Sequence, residues 1–382
     1  MSPDVIVIGG GIGGTALTYA LARAGARVLL LEQGRIAGEA SGATMGMALW
    51  IGLHAEAELA QAVQGLPRLA MLEDELEADL SYRLLPSLVL APDEAALTKL
   101  QNQAELLQRA GLPATQVIGP PEIAELEPAL DPHLFMGALY AQQAHLDGAA
   151  LTQAYAAAAQ RLGAEIRENA GVQGFDRAQG RVIGVQTGQG KLSAGQVVLA
   201  AGAWTRALAA GAGVDLPIYY LHGEALATAP LAPTLQGMLM VARPDGYSAL
   251  ERRVAAALAN GGTAWEQWRD EVEAQDTSLV QLRDGRVLLG QITRAAPAHH
   301  LSLRPSALER ITQAAVQLIP ALADAPIRQG WIAPVAFTAT QQAMLGPAPG
   351  YENLYVCAGF KSALITAPIG CERLARQMVA SS

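Results

Sequence analysis

Gly9, Gly11 and Gly14 stand in the run Gly9-Gly10-Gly11-Ile12-Gly13-Gly14, and Glu32 follows the last of them by eighteen residues. That spacing suits the binding of a dinucleotide. Gly9 permits a tight turn, Gly11 lets backbone approach a pyrophosphate, and Gly14 lets a helix lie close to a strand, so that N–H groups from Ile12 and Gly13 onward face the phosphates. Glu32, with Gln33 beside it, ends the unit as the acceptor for ribose hydroxyls.

The flanking elements have the form this chemistry needs. The apolar run at residues 5–8 reads as a strand, a helical pattern ends near Gly25, and a second apolar run occupies residues 28–31. Strand, glycine turn, helix, strand and terminal acid together make a βαβ dinucleotide fingerprint. From these residues alone NAD and FAD remain equally open. Residues 38–46, Gly-Glu-Ala-Ser-Gly-Ala-Thr-Met-Gly, carry small side chains with no regular period, which suits backbone lying against a ligand. A buried strand at 196–199 runs through Ala200, Ala201 and Gly202 to Trp204, a second close approach of a strand end.

With 382 residues and 51% hydrophobic content, the chain has material for a sizeable core. A net charge of −9 argues against nucleic acid and anionic membrane as partners. No uninterrupted apolar stretch is long enough for a membrane span, and a strand begins by residue 4 with no cleavable apolar segment before it, so a cytoplasmic protein is expected. Cys357 and Cys371, the two cysteines, lack histidines at metal-ligand spacing and read as core residues. The adjacent pair His299-His300 projects in divergent directions, and no metal site is expected.

Further along, residues 55–79 show helical periodicity, 84–90 a strand and 94–110 a helix stopped by Gly111. A short helix is expected at 122–126, a short strand at 136–140, a helix at 149–162, a strand at 165–168 and a hairpin from 172–176 to 181–186. Strand-like runs at 223–228, 238–242, 279–282 and 286–291 surround a charged helical insertion at about 248–275 with Trp265 and Trp268. A helix at 305–319, strands at 327–332 and 354–358, a turn at 359–362 and a helix at 364–379 complete the pattern. Nucleotide-binding elements thus occupy the beginning, middle and end of the chain.

These residues resemble the D-amino-acid-oxidase family of flavoproteins, the group of glycine oxidase, sarcosine oxidase and the β subunits of dye-linked proline and hydroxyproline dehydrogenases. The likeness is carried by residues 7–11 leading to Glu32, Ser41-Gly42-Ala43, Leu146-Asp147-Gly148, residues 198–205, and Gly359-Phe360 leading to Ala367-Pro368-Ile369-Gly370. It implies an α/β protein in which a Rossmann-like FAD-binding domain is assembled from discontinuous segments, 1–79, 146–215 and 327–382. A β-rich substrate domain on a mainly antiparallel sheet flanked by helices takes 80–145 and 216–326. It also implies FAD rather than NAD, held by Gly9, Gly11, Ile12, Gly13, Gly14, Glu32, Gln33, Ser41, Gly42, Ala43, Thr44, Met45, Gly46, Val172, Ala200, Ala201, Gly202 and Trp204, with the turn Gly359, Phe360, Lys361, Ser362, Ala363 and Leu364. Neither cysteine matches a covalent attachment position, so noncovalent FAD is expected. The implied chemistry is hydride removal from a carbon bearing an amine, giving an imine that hydrolyses in water.

Two departures from the family pattern concern the substrate. Relatives that oxidise simple amino acids often carry an arginine that fixes the substrate carboxylate, and Val335 stands at that place. Either another cation serves, with Arg243, Arg252 and Arg294 as candidates, or the substrate lacks that carboxylate. The flavin-facing turn also lacks the family's histidine, and Lys361 is the candidate to place an ammonium beside the ring. His222 lies where relatives show an arginine and is a second catalytic candidate, against a reading as an interior histidine. Met47 and Tyr247 are candidates for the substrate pocket.

The expected partners are a small amine or amino acid and oxygen or another electron acceptor, with homo- or hetero-oligomers both open. Residues 279–290 resemble the dye-linked β subunits, which makes a catalytic subunit of a hetero-oligomer the first alternative. A flavoprotein acting on a non-amine donor, or one serving a structural role, is the other.

Overall fold

Four-residue runs of Val, Ile and Leu bounded by glycine or polar residues bury both faces only inside a sheet covered on each side. In the computed structural model, which describes residues 2–51, 53, 56–112, 115–259 and 264–380, these runs do form such a sheet. The chain opens with β1 (Val5–Ile8), α1 (Ile12–Arg23), β2 (Val28–Leu31), β3 (Met47–Ala48), α2 (Glu56–Ala70), α3 (Leu72–Leu76), β4 (Arg83–Ala91) and α4 (Glu94–Arg109). Then come β5 (Gln116–Ile118), α5 (Pro120–Leu126), β6 (Gly137–His145), α6 (Gly148–Arg161), β7 (Glu165–Arg167), β8 (Val172–Ala178), β9 (Arg181–Thr187) and β10 (Gly190–Ser193). β11 (Gln196–Leu199), α7 (Thr205–Gly211), β12 (Ile218–Thr228), β13 (Met238–Val241), α8 (Tyr247–Ala259), β14 (Val272–Gln281) and β15 (Val287–Ala295) follow. Last are α9 (Pro305–Leu318), β16 (Ile327–Thr338), β17 (Met344–Pro347), β18 (Leu354–Ala358) and α10 (Ala363–Ala380).

Six strands in the order β17-β18-β11-β1-β2-β7 make the first sheet, parallel except for β17. Alternation divides β1 between two cores. Val5 and Val7 pack with residues of α1, α6 and α10, whereas Ile6 and Ile8 pack with Val182 and Val185 of the β8–β10 meander. Three distant stretches of sequence therefore build one layer structure, because β1 pairs with β11 and β11 with β18.

The second sheet runs β16-β12-β15-β14-β13-β4-β6-β3, with β5 attached to β6. Its pairings are antiparallel except β13 with β4. One face carries Leu226, Leu289 and Ile292 against Ala307, Ile311 and Ala315 of α9. The other turns Ala227, Leu288 and Trp331 toward Met45, in the loop after β2, and Met47 of β3.

Several elements differ from the sequence expectation. The helix expected at 55–79 is α2 and α3 in succession, with α3 ended by Glu77 in left-handed backbone at φ 52°; residue 55 itself lies outside the described residues. Of the insertion at 248–275, only α8 is an α-helix; from Val272 onward the chain is β14, held by pairing with β15, and 260–263 lie outside the described residues. β6 extends to His145 because β4 pairs with it along nine residues. β16 continues to Thr338 and pairs with β12, so the start of the expected third nucleotide-domain segment belongs to the second sheet, as does β3.

α10 anchors the end of the chain by burying Leu374 and Met378 in the helical layer over the first sheet. Leu374 is 1% exposed. Its replacement by alanine should cost about 2–5 kcal/mol, read as a lowered midpoint in urea unfolding.

Candidate functional site

The nucleotide turn is built by backbone approaching backbone. A Cβ on Gly14 would lie 1.9 Å from the Gly9 carbonyl oxygen, and one on Gly9, whose φ is +115°, would lie 2.5 Å from the Ala200 carbonyl oxygen. Only glycine permits either contact. No side-chain hydrogen bond comes from Gly11 at the N-cap of α1, and the first turn holds no acid, so the helix presents backbone N–H groups and the positive end of its dipole to the cleft. Ser41 takes one of them, accepting from Ile12 N–H at 3.0 Å. Glu32 accepts from Gly10 N–H at 2.6 Å and Gly34 N–H at 2.7 Å, which fixes its carboxylate and leaves lone pairs for another donor.

These groups line a cleft of about 350 Å³. Gly9, Gly11, Ile12, Gly13, Glu32, Gln33, Ser41, Val172, Ala200, Ala201, Gly202, Trp204, Gly359, Phe360 and Ala363 are all on its wall. The wall continues to Pro334, Val335 and Ala336 of β16, so the cleft runs from the end of β2 to the second sheet. Gly42, Ala43, Thr44, Met45 and Gly46 line a neighbouring cleft of about 840 Å³, which shares residues 37–39 with the first and also contains Arg83, His145 and Trp331. Trp331 ties the two sheets together by donating its indole N–H to the Ala43 carbonyl at 2.6 Å.

Other expected site residues are elsewhere. Gly14 lies behind the turn, Leu364 is buried in the core, and Ser362 donates to the Leu49 carbonyl, holding the 359–362 turn. Met47 packs in the apolar cluster with Met45 and Trp331. Tyr247 packs on Phe337 with ring centroids 5.8 Å apart, and its N–H donates to Asp276 at 2.8 Å.

His222 and Arg294 require correction. β12 pairs with β16 without a break from Ile218 to Ala227, so side chains alternate strictly along it. Ala225 and Ala227 face the loop at Met45, which turns His222 and Glu224 to the α9 side. Arg294 is the register partner of His222 and shares that side, where it donates to buried Glu224 at 3.2 Å. Arg304 at the start of α9 donates to the other Glu224 oxygen at 2.9 Å. Arg294 is thus committed behind the sheet and does not reach the cleft.

Lys361 does not stand as a free cation. Its Nζ lies 3.0 Å from Glu251 Oε2, with side-chain exposures of 15% and 3%. Nothing in the stretch Glu251-Arg252-Arg253 marks Glu251 as interior; charged residues on a helix ordinarily face water, and only the packing of α8 turns this one inward. Cys357 and Cys371 are buried with sulfurs 3.7 Å apart, and Cys371 Sγ is 3.3 Å from the Gly13 carbonyl. His299 stacks on Trp204 and Tyr220, and among the described residues no group of three His, Cys, Asp or Glu is placed to hold a metal. No helix of the described residues is long and apolar enough to cross a membrane.

Among the described residues two histidines are buried, and burial disfavours the charged form of each. Burial drives His222 down to about 4, and its ring nitrogens meet no hydrogen-bond geometry, although backbone groups of Ala296 and Ala298 partly oppose the shift. Burial, then the Arg83 charge, drives His145 to about 4, with Nε2 3.2 Å from the Met45 carbonyl.

The family model described as FAD dependent oxidoreductase matches residues 4–377. A glycine oxidase of Pseudomonas putida is 26% identical over 386 residues, covering 97% of this chain and 93% of the relative. Human mitochondrial dimethylglycine dehydrogenase is 27% identical over 374 residues, covering 95% of this chain but 41% of the relative, so the chain spans about two-fifths of that protein. Among solved structures, an L-proline dehydrogenase from P. horikoshii superposes with a TM-score of 0.84 at 23% identity, over 99% of this chain and 94% of the other.

Between pH 6.5 and about 4 the unfolded chain binds protons that native His222 and His145 refuse, so stability is full above pH 6.5 and falls as pH drops through that window. Each ring should account for about 3 kcal/mol of that loss. Urea unfolding at a series of pH values should show the slope, and His222→Phe should remove roughly half of it.

Proposed function

This chain belongs to the family of FAD dependent oxidoreductases, and from that premise we propose that it oxidises the C–N bond of a small amine or amino acid to an imine. The observation that carries the reading is the continuity of the nucleotide cleft from Glu32 to Val335. A dinucleotide whose adenosine end lies by Glu32 and whose phosphates face the start of α1 has its other end against β16. The register of the second sheet places small residues there, Gly223 opposite Ala333 and Ala225 opposite Gly290, which would leave room for a redox ring.

The residues fit FAD. Gly9, Gly11 and Gly14 supply close backbone, Ser41 orients the first turn of α1, and Glu32 stands fixed for the ribose. The sulfurs of Cys357 and Cys371 turn to each other and to Gly13, which supports noncovalent binding. Bound FAD would supply a hydride acceptor. The chain's part is to orient the amine-bearing carbon and to admit the nitrogen in neutral form. The carbon gives up a hydride, the nitrogen a proton, and water later adds to the imine. Among partners, a small amine and an electron acceptor follow from this reaction; oxygen or another acceptor is open to it.

Glu32→Ala should weaken FAD retention about 10- to 100-fold while leaving the far-UV spectrum intact, since hydrogen bonds to a charged group are worth about 1.5–3 kcal/mol. Anaerobic titration of the holoenzyme with amines and amino acids tests the reaction. Bleaching of the flavin band by an amine donor is the expected result. Bleaching by 2-hydroxy acids alone would move the protein to a non-amine donor, and no bleaching by either class would remove the enzyme reading for the isolated chain.

A further inference from the structure

The cleft beside the nucleotide site, about 840 Å³, has a volume that suits an extended ligand better than a simple amine, and one side chain on its wall has donors to spare. Arg83 opens β4 and is the register partner of His145, which in turn pairs with Met47. Register partners share a side, so Arg83 stands on the face of the second sheet that meets Met45. Its guanidinium carries five N–H donors and no acceptor. Nη2 donates to the Gln281 carbonyl at 2.8 Å and reaches His145 Nδ1 at 3.4 Å. Nδ1 must therefore accept, which leaves the ring proton on Nε2, where it donates to the Met45 carbonyl at 3.2 Å. The buried Nε has no partner, and among the described residues Arg83 forms no ion pair.

The other charges of this cleft are engaged or solvated. Arg283 lies 3.7 Å from Asp79, Arg286 donates to Asp284 at 2.8 Å, and Arg35 is exposed where the two clefts meet. Asp147 accepts from the first N–H groups of α6, Glu168 accepts from Ile36 N–H, and burial favours the neutral form of Glu39. Burial disfavours the Arg83 cation, and the Arg283 charge acts in the same direction. A carboxylate in the cleft would offset both and supply the missing acceptor. The cleft adjoins the nucleotide site, since Ala333 on its wall precedes Pro334 on the wall of the other. Arg83 is at the opposite end: Gln281, to which it donates, is on β14, three strands from β16, on the order of 14 Å across the sheet. A carboxylate on a carbon reacting beside β16 cannot span that distance, whereas one at the end of an extended chain can.

We propose that Arg83 anchors a carboxylate subsite in this cleft, and that the substrate is an extended amine whose carboxylate lies several bonds from the C–N bond that is oxidised. The proposal rests on the amine-oxidation reading and deepens it. Arg83 binds and orients, His145 holds its Nη2 in place, and neither takes part in electron or proton transfer.

The test uses FAD-loaded protein. Hexanoate, which carries the carboxylate without the amine, is titrated while the heat of binding is followed. Wild type should bind it saturably, Arg83→Met about tenfold or more weakly, and Arg83→Lys in between. In parallel, anaerobic flavin reduction of wild type by N-methylglycine, by ω-(methylamino)hexanoate and by the terminal alcohol of the latter is compared, which needs no variant. The long carboxylate should half-saturate reduction at about tenfold lower concentration than either of the others. No saturable hexanoate binding by wild type, or binding that Arg83→Met leaves unchanged, overturns the subsite. Equal half-saturation by the long carboxylate and its alcohol, or tighter half-saturation by N-methylglycine, overturns the substrate assignment and makes any anion at Arg83 a separate ligand. If no amine reduces the flavin, the reaction reading fails and the substrate assignment with it, while the hexanoate series still decides whether Arg83 holds a carboxylate.

Discussion

The site depends on one steric constraint, the stacking of α1 onto the ends of β1 and β11 with no side chain between. Gly14 against the Gly9 carbonyl and Gly9 against Ala200 bring helix and strands together at backbone distance. With a Cβ at either place α1 would have to withdraw, and its N–H groups would no longer converge on the cleft. Ser41 and Glu32 act on that frame: each accepts a hydrogen bond from the turn and so holds it in the conformation that the close packing permits.

A second constraint is the strict alternation of β12 and β16. Because each strand has only two faces, adjacent residues in sequence receive opposite environments. Ala225 and Ala333 keep the cleft side open, whereas Glu224 lies in the core with the guanidinium groups of Arg294 and Arg304. A buried carboxylate needs such partners, since an uncompensated charge there would cost several kcal/mol. Arg294, a candidate in the linear chain, is thus committed to a structural role.

At the edge where the two sheets meet, apolar and aromatic groups predominate. Tyr219, Phe337, Tyr247 and Trp265 pack together in one cluster, with the Lys361–Glu251 pair beside them. Burial raises the Tyr247 hydroxyl well above the usual phenol range, and the Glu251 charge acts in the same direction, so this phenol is neutral.

The sequence by itself determined the nucleotide-binding unit. Its glycines, its four-residue apolar strands and Glu32 are local features whose spacing dictates backbone geometry, and the second strand end at Ala200–Trp204 was legible for the same reason. Family resemblance, spread over motifs from Gly9 to Gly370, supplied FAD in place of an undecided dinucleotide. What only the tertiary structure decided was the direction and company of single side chains. The faces of His222 and Arg294 follow only from the phase of the whole of β12 and its pairing. Glu251 lies in a charged helical stretch with no local sign that it turns inward, and its partner, Lys361, is far away in sequence. Charge pairing of that kind depends on how layers stack, and stacking is set by the whole set of buried faces at once rather than by any local run of residues.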